Sequence, residues 1–279
     1  MKTIDSADNP LFRKWNRLKS PRQSKKEKRI LVEGLRHVAD LISRPLEPEF
    51  LILSNDSRGR EAMAKLQADA RQPLSGVSDD RIIWLAPRLF ERLSAMKMPQ
   101  GVMAVLTPPV LTLDAFIRSI IQKSEGSARI LILEDVQDPG NVGTLIRTAD
   151  ALGFDGVLLT DSTATVYNPK TAAASMGSIF HIPVVELEEG TGSAAGKLKD
   201  LRFVIAAAAL EGESLALSRP PAPRLAVLLG NEGNGLSEEA LACADLTVTI
   251  PMRGGAESLN VASAGAIFMW EIVRGTPLN

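Results

Sequence analysis

The segment Ile250–Val273 reads IPMRGGAESLNVASAGAIFMWEIV. Its first residue closes the apolar run LTVTI (Leu246–Ile250), which has the length and β-branched content of a strand. Arg253, two glycines, Glu257, Ser258 and Asn260 follow, and then a helix rich in small residues begins, with Ala262, Ser263, Ala264, Gly265 and Ala266 in a row. Small side chains let another backbone or a ligand come close. One polar residue suffices to cap a helix, so a capping role leaves several polar groups of this loop unexplained.

The same alternation runs backward through the chain. RILILEDV, GVLLT, IPVVEL, RFVIAAAA, RLAVLLGN and LTVTIP are short apolar runs separated by helical stretches, including helices expected from Asn141, Pro169 and Ser237. Strands that are apolar on both faces and separated by helices imply a parallel sheet covered on both sides. A first set of alternating elements starts at residue 29: RILVEG, EFLILSN, RIIWL and GVMAVL, with helical LRHVADLIS, GREAMAKLQADA and PRLFERLSAM between them, again implying a largely parallel sheet. Between the two sets, TPPVLTLDAFIRSIIQKSEGSA reads as a linker because of Pro108, Pro109 and Gly126. The expected organisation is therefore α/β throughout: a small domain at 1–106, a linker at 107–127 and a larger domain at 128–279.

Composition narrows the chemistry. With 45% hydrophobic and 23% charged residues in 279, the chain has ordinary globular composition and length for two cores. No apolar run is long enough for a membrane span, and MKTIDSADNP lacks the apolar centre of a signal peptide, so a soluble cytoplasmic protein is expected. Cys243, His37 and His181 are the only cysteine and histidines, which excludes a disulfide within the chain and a Cys/His zinc site, so no metal is expected. Residues 1–36 hold eleven Lys or Arg against four acids, a net +7, leaving −8 for the rest. Arg22, Lys25, Lys26, Lys28 and Arg29 are the candidate RNA contacts in this arm, since clustered cations neutralise phosphates; a merely solvated helix face is the alternative.

Three loops at strand ends carry the polar residues. In EDVQDPGNVGTLIRTADALG, Pro139 and Gly140 turn the chain, Asn141 fits as a helix cap, and Arg147 is read near the helix start, opposed to the dipole and so kept for an anionic ligand, with a surface or salt-bridged arginine as the alternative. VLLGNEGNGLSEEAL offers Gly230, Gly233 and Gly235 around Glu232, but its glycine spacing fits neither a phosphate loop nor a dinucleotide fingerprint. Only 44 residues follow Gly235, too few for a nucleotide fold starting there. The third loop is the opening segment.

Together these loops resemble the SpoU branch of the SPOUT superfamily, the TrmH-like RNA ribose 2′-O-methyltransferases. The resemblance rests on Asn141, Gly143 and Arg147; on Gly230, Glu232 and Gly235; and on Ile250, Pro251, Met252, Ser258, Leu259, Asn260 and Val261, with Ala262 in place of a frequent serine. More loosely, NPLFRKWNRLKS, LVEGLRHV and QGVMAVL resemble the RNA-binding domain of many members. The resemblance implies a C-terminal SPOUT domain with a parallel sheet and a trefoil knot. It also implies S-adenosylmethionine as cofactor, RNA as substrate with ribosomal favoured over transfer RNA, and a homodimer. Arg147, Asn141, Glu232, Ser258 and Asn260 would be catalytic, and Leu229, Gly230, Ile250, Leu259 and Asn260 would hold the cofactor. A non-catalytic RNA-binding protein of the same fold is the alternative. The helix VASAGAIFMWEIV, with Phe268, Met269 and Trp270, would supply the dimer face.

Overall fold

The computed structural model describes residues 2–43, 46–68, 77–123, 126–188, 190–214 and 222–274. They form two compact units: Met1–Pro108 with Val166–Gly177, and Pro109–Thr165 with Ser178–Asn279.

The first unit contains β1 (Lys2–Ile4), α1 (Pro10–Arg17), α2 (Pro21–Glu27), β2 (Ile30–Glu33), α3 (Leu35–Ile42), β3 (Phe50–Ser54), α4 (Ser57–Ala68), β4 (Ile82–Leu85), α5 (Pro87–Leu93) and β5 (Val102–Leu106). The last two residues of the expected helix GREAMAKLQADA, Asp69 and Ala70, lie outside the described residues. The sheet order is β1-β4-β3-β5-β2. Two expectations are corrected here. The alternation starts earlier than residue 29, because the short run at Lys2–Ile4 pairs with β4 and buries only Ile4, too little apolar surface to announce a strand. The sheet is mixed, with β5 antiparallel to both β2 and β3, because α5 leads into the return strand through the turn ending at Gly101. There φ is +80° and a Cβ would strike the Arg58 carbonyl carbon at 2.5 Å, so only glycine fits.

The second unit holds β6 (Val110–Leu111), α6 (Leu113–Lys123), β7 (Ala128–Leu133), α7 (Pro139–Ala151), β8 (Gly156–Leu159), β9 (Val184–Glu186), α9 (Thr191–Asp200), β10 (Val204–Ser214), β11 (Arg224–Leu229), α10 (Glu238–Cys243), β12 (Leu246–Thr249) and α11 (Val261–Val273); α8 (Pro169–Ala174) falls in the segment grouped with the first unit. Its seven strands, in the order β12-β10-β11-β7-β8-β9-β6, are paired parallel throughout. All strand C-termini therefore emerge at one end of the sheet.

The stretch read as a linker is structural instead. Val110 and Leu111 add an edge strand to β9, and α6 buries Phe116 and Ile120 against Ile130, Leu158 and Val185 of the core. Phe116 and Ile120 stand one helical turn apart, and this apolar stripe outweighs the proline and glycine at its borders. Ser124 and Glu125 of that stretch lie outside the described residues. The fit is close enough that a Cβ on Gly156 would lie 2.1 Å from the Phe116 ring.

At the other side of the sheet α11 packs on α7 and β11. A Cβ on Gly265 would lie 2.3 Å from Leu145 and 2.7 Å from Leu229, so the small-residue row serves close packing. Phe268 and Met269 are buried inside their own chain rather than presented outward; 3.6-residue periodicity turns them to the α7 side and leaves Ile267 (42% exposed) and Trp270 (58%) open.

Because Phe116 anchors the former linker, Phe116→Ala should destabilise the second unit by about 3–5 kcal/mol in chemical denaturation. A change within about 0.5 kcal/mol, as for a surface tether, would contradict the assignment.

Candidate active site

Parallel pairing brings the residues that follow β7, β11 and β12 to the same end of the sheet, where open α/β sheets bind ligands. The N-cap of α7 is Asp138, not Asn141: the Asp138 Oδ1 accepts the Asn141 backbone N–H at 2.9 Å, and Pro139 occupies the first turn. Aspartate directly before proline outcompetes the asparagine for the cap, and the Asn141 side chain is left for other partners.

Those partners come from the other two loops. Asn141 Nδ2 donates to Glu232 Oε1 at 2.9 Å, and Asn141 Oδ1 accepts from Asn260 Nδ2 at 3.1 Å. Asn260 is in turn the N-cap of α11, its Oδ1 accepting the N–H groups of Ala262 (2.9 Å) and Ser263 (3.3 Å). The polarity of this relay is forced at both ends. A carboxylate only accepts, so Asn141 must turn its NH2 toward Glu232; the helix N–H groups only donate, so Asn260 must turn its NH2 toward Asn141. Partial burial pushes the Glu232 carboxyl up, but the Asn141 amide, its own N–H and the N–H groups of Gln137 and Asp138 outweigh this and hold it below the usual glutamate range.

Residues that the sequence reading did not single out set the Glu232 loop in place. Asn231 Nδ2 donates to the carbonyl of Asp135 (2.9 Å) and to its Oδ2 (3.1 Å), while Asn231 Oδ1 accepts from the N–H groups of Gly233 (2.8 Å) and Asn234 (2.9 Å). Two backbone bonds between Asn231 and Gly235 close the loop. Asp135 itself sits in the left-handed region at φ +52°, which aspartate tolerates better than most residues. Glu134 accepts from Thr191 Oγ1 (2.7 Å), Ser237 N–H (2.9 Å) and Ser237 Oγ (3.1 Å), tying the end of β7 to the starts of α9 and α10. The available signal was the Asn/Asp content of EDVQDPG and GNEGNG, residue types that bond backbone locally in turns.

Arg147 lies in the third turn of the 13-residue α7, so the dipole argument made for it fails; that effect is confined to the end turns. It is exposed and makes no ion pair or hydrogen bond among the described residues. Six residues beyond Asn141 on the same helix, it stands about 9 Å further along the axis. Ser258 is exposed in the last loop and takes no part in the relay. Leu229 is buried at the end of β11; Gly230 has no room for a side chain, since a Cβ would sit 2.4 Å from the Gly235 carbonyl carbon. Ile250 ends β12's run, and Leu259 is partly exposed beside Asn260. From Pro251 to Leu259 the backbone makes no hydrogen bond among the described residues, so a row of N–H and C=O groups is available to a ligand.

Of the candidate RNA contacts, Arg22, Lys25, Lys26 and Lys28 are exposed on or just after α2. Arg29 is placed differently: its guanidinium is engaged by Glu49 and by the Glu27 carbonyl. The charge run hid this because Glu49 lies 20 residues away. Among the described residues no group of His, Cys, Asp and Glu could hold a metal, and no helix is long and apolar enough to cross a membrane.

Comparisons with known proteins identify the family. The SpoU rRNA Methylase family matches residues 128–270, and an MRM3-like substrate binding domain matches residues 9–104. The chain is 31% identical over 272 residues to 23S rRNA (guanosine(2553)-2′-O)-methyltransferase RlmP of Bacillus subtilis, covering 98% of this chain and 99% of that protein. The SpoU methyltransferase AviRb of Streptomyces viridochromogenes, solved with S-adenosylmethionine, is similar at a TM-score of 0.80 and 27% identity, covering 95% of this chain and 97% of that one. An S-adenosylmethionine-bound rRNA methyltransferase of Sinorhizobium meliloti is similar at a TM-score of 0.78 and 25% identity, covering 99% of each.

The depressed Glu232 carboxyl has a measurable signature. Its stabilising contribution is present above the ordinary glutamate value of 4.5 and is lost as pH falls through its lower folded value. Denaturation midpoints should therefore differ between wild type and Glu232→Gln by a constant amount above about pH 5, and the difference should shrink in acid. A difference independent of pH would contradict the hydrogen-bonded carboxylate.

Proposed function

The chain belongs to the SpoU rRNA methylase family and is an S-adenosylmethionine-dependent RNA 2′-O-methyltransferase, and within that activity we propose ribosomal RNA as its substrate. The support is the likeness to RlmP along nearly the whole chain and the match of the first unit to a substrate binding domain. The observation that carries the site assignment is the Glu232–Asn141–Asn260 relay, which ties three loops together at one sheet end, with Arg147 exposed further along the helix that begins at Pro139.

S-adenosylmethionine supplies an electrophilic methyl group when bound. The residues present fit it: the unbonded backbone from Pro251 to Leu259 provides the donors and acceptors that an adenine edge and an amino-acid end require. Leu229, Gly230, Ile250, Leu259 and Asn260 would hold it.

Transfer to a ribose oxygen then makes two demands on the chain. Orientation of the hydroxyl is the first, and rigid positioning contributes on the order of 7–11 kcal/mol in such reactions; the relay and the Asn231–Asp135 contact provide that rigidity. The second is the negative charge that develops on the oxygen as its proton leaves. A guanidinium offers donors and no acceptor, so Arg147 acts through its fork rather than as a base, gripping the neighbouring phosphate and stabilising that charge. Ser258 completes the rim of the site and orients the ribose.

The knot implied by the sequence is retained in this reading, since α11 returns from edge strand β12 past β10 to pack on α7 and β11. So are the homodimer, for which exposed Ile267 and Trp270 on α11 are the available apolar face, and a cytoplasmic location beside the RNA.

Arg147→Ala should lower single-turnover methylation of unmodified rRNA roughly 100-fold or more while cofactor binding survives. Arg147→Lys separates fork from charge, because lysine keeps the charge without the planar pair of donors. Near-wild-type rates for Arg147→Lys would refute the fork-on-phosphate role.

A further inference from the structure

The first unit contains an open groove of about 550 Å3 lined by Asn16, Arg17, Lys19, Ser20, Gln23 and Arg92. Its walls are the end of α1, the turn into α2 and the end of α5. Six polar or cationic side chains line it and no carboxylate does. The groove is also built rather than accidental. Lys19 Nζ donates to the Arg92 carbonyl at 2.8 Å, bridging 73 residues of sequence, and the Arg92 guanidinium carbon stands 5.8 Å from the centre of the Phe12 ring. Phe12 is buried beneath, together with Leu18 of the turn.

Several other cations of the first unit are already matched by acids. Arg13 is paired with Asp8, Lys14 with Glu49, Arg29 with Glu49 and Glu27, Arg58 with Asp56 and Glu91, and Arg81 with Glu47. Among the described residues, Arg17, Lys19 and Arg92 have no acidic partner. Three cations held together without a counter-charge repel one another, an arrangement that a polyanion relieves. The neighbouring Asn16, Ser20 and Gln23 add neutral donors suited to phosphate oxygens. No aromatic residue is among those lining the groove, and Phe12 beneath is covered by Arg92, so the contact fits backbone rather than bases.

We propose that this groove, rather than the Arg22–Arg29 run alone, is where the first unit holds the sugar-phosphate backbone of the substrate RNA, with Arg17 and Arg92 each engaging a phosphate. The proposal rests on the RNA-methyltransferase reading and names the part of the first unit that grips the substrate.

The test compares wild type with Arg17→Gln/Arg92→Gln, both exposed positions where glutamine keeps length and helix propensity. Binding of a mixed-sequence RNA hairpin is titrated across salt concentrations, and methylation is followed on an unmodified 23S rRNA transcript. The double variant should bind the hairpin about tenfold or more weakly at low salt, with the slope of log K against log salt shallower by about 1.4–1.8, as expected for two lost phosphate contacts. KM for the transcript should rise, while the single-turnover rate at saturating RNA and the affinity for S-adenosylmethionine stay at wild-type values. Arg17→Lys/Arg92→Lys should restore most of the slope, which a merely structural role would not predict. Equal affinity and slope in wild type and Arg17→Gln/Arg92→Gln would overturn the groove while leaving the enzyme assignment intact. Failure of the wild type itself to methylate the transcript, with S-adenosylmethionine still bound, would instead remove the ribosomal substrate on which the proposal rests.

Discussion

The carboxamide of Asn141 is the constraint on which the site depends. It hydrogen-bonds to both distant loops, giving its NH2 to Glu232 and its oxygen to Asn260. An amide holds donors and an acceptor on opposite sides of one rigid group, which suits a carboxylate on one side and an NH2 on the other. Asp138 makes this possible by taking over the cap, and Asn260 extends it by capping α11 with its own oxygen. Reciprocal satisfaction of this kind couples the loops: displacing one leaves an unpaired polar group in the next.

Around that relay the protein distributes rigidity and openness unevenly. Glu134 binds two helix starts, Asn231 is clamped to Asp135, and Gly265 lets α11 settle against Leu145 and Leu229. In contrast, Pro251–Leu259 is exposed and, among the described residues, makes no backbone hydrogen bond, and Arg147 and Ser258 have no partner among them. The fixed parts are those that must hold geometry, and the open parts are those that would contact cofactor or RNA. This division matches catalysis by positioning and charge stabilisation, which asks for groups already in place before the reaction.

Much of this was legible in the sequence because the signals were local. Apolar strand runs, the helix beginning at Pro169 and the polar loops at strand ends all lie within windows of ten to twenty residues, where periodicity speaks directly. What escaped depended on distant partners or on competition between neighbours. Asp138 displaced Asn141 from the cap only because proline follows it. Arg29 looked free until Glu49 folded against it. Phe116 and Ile120 turned a supposed linker into core, and β1 was too short to stand out before β4 paired with it. The roles of Phe268 and Met269 followed the same rule, since the apolar face they serve belongs to α7, more than a hundred residues earlier.

The central claim is that Asn141 couples the Glu232 and Asn260 loops, whose functional side chains both hydrogen-bond to it. It is tested most directly by a double-mutant cycle of Glu232→Ala and Asn260→Ala, read as single-turnover methylation and repeated in an Asn141→Ala background. The relay predicts a coupling of at least about 0.5 kcal/mol between the two substitutions, disappearing when Asn141 is absent. Additive effects within about 0.3 kcal/mol in the wild-type background, or equal coupling in both backgrounds, would contradict it.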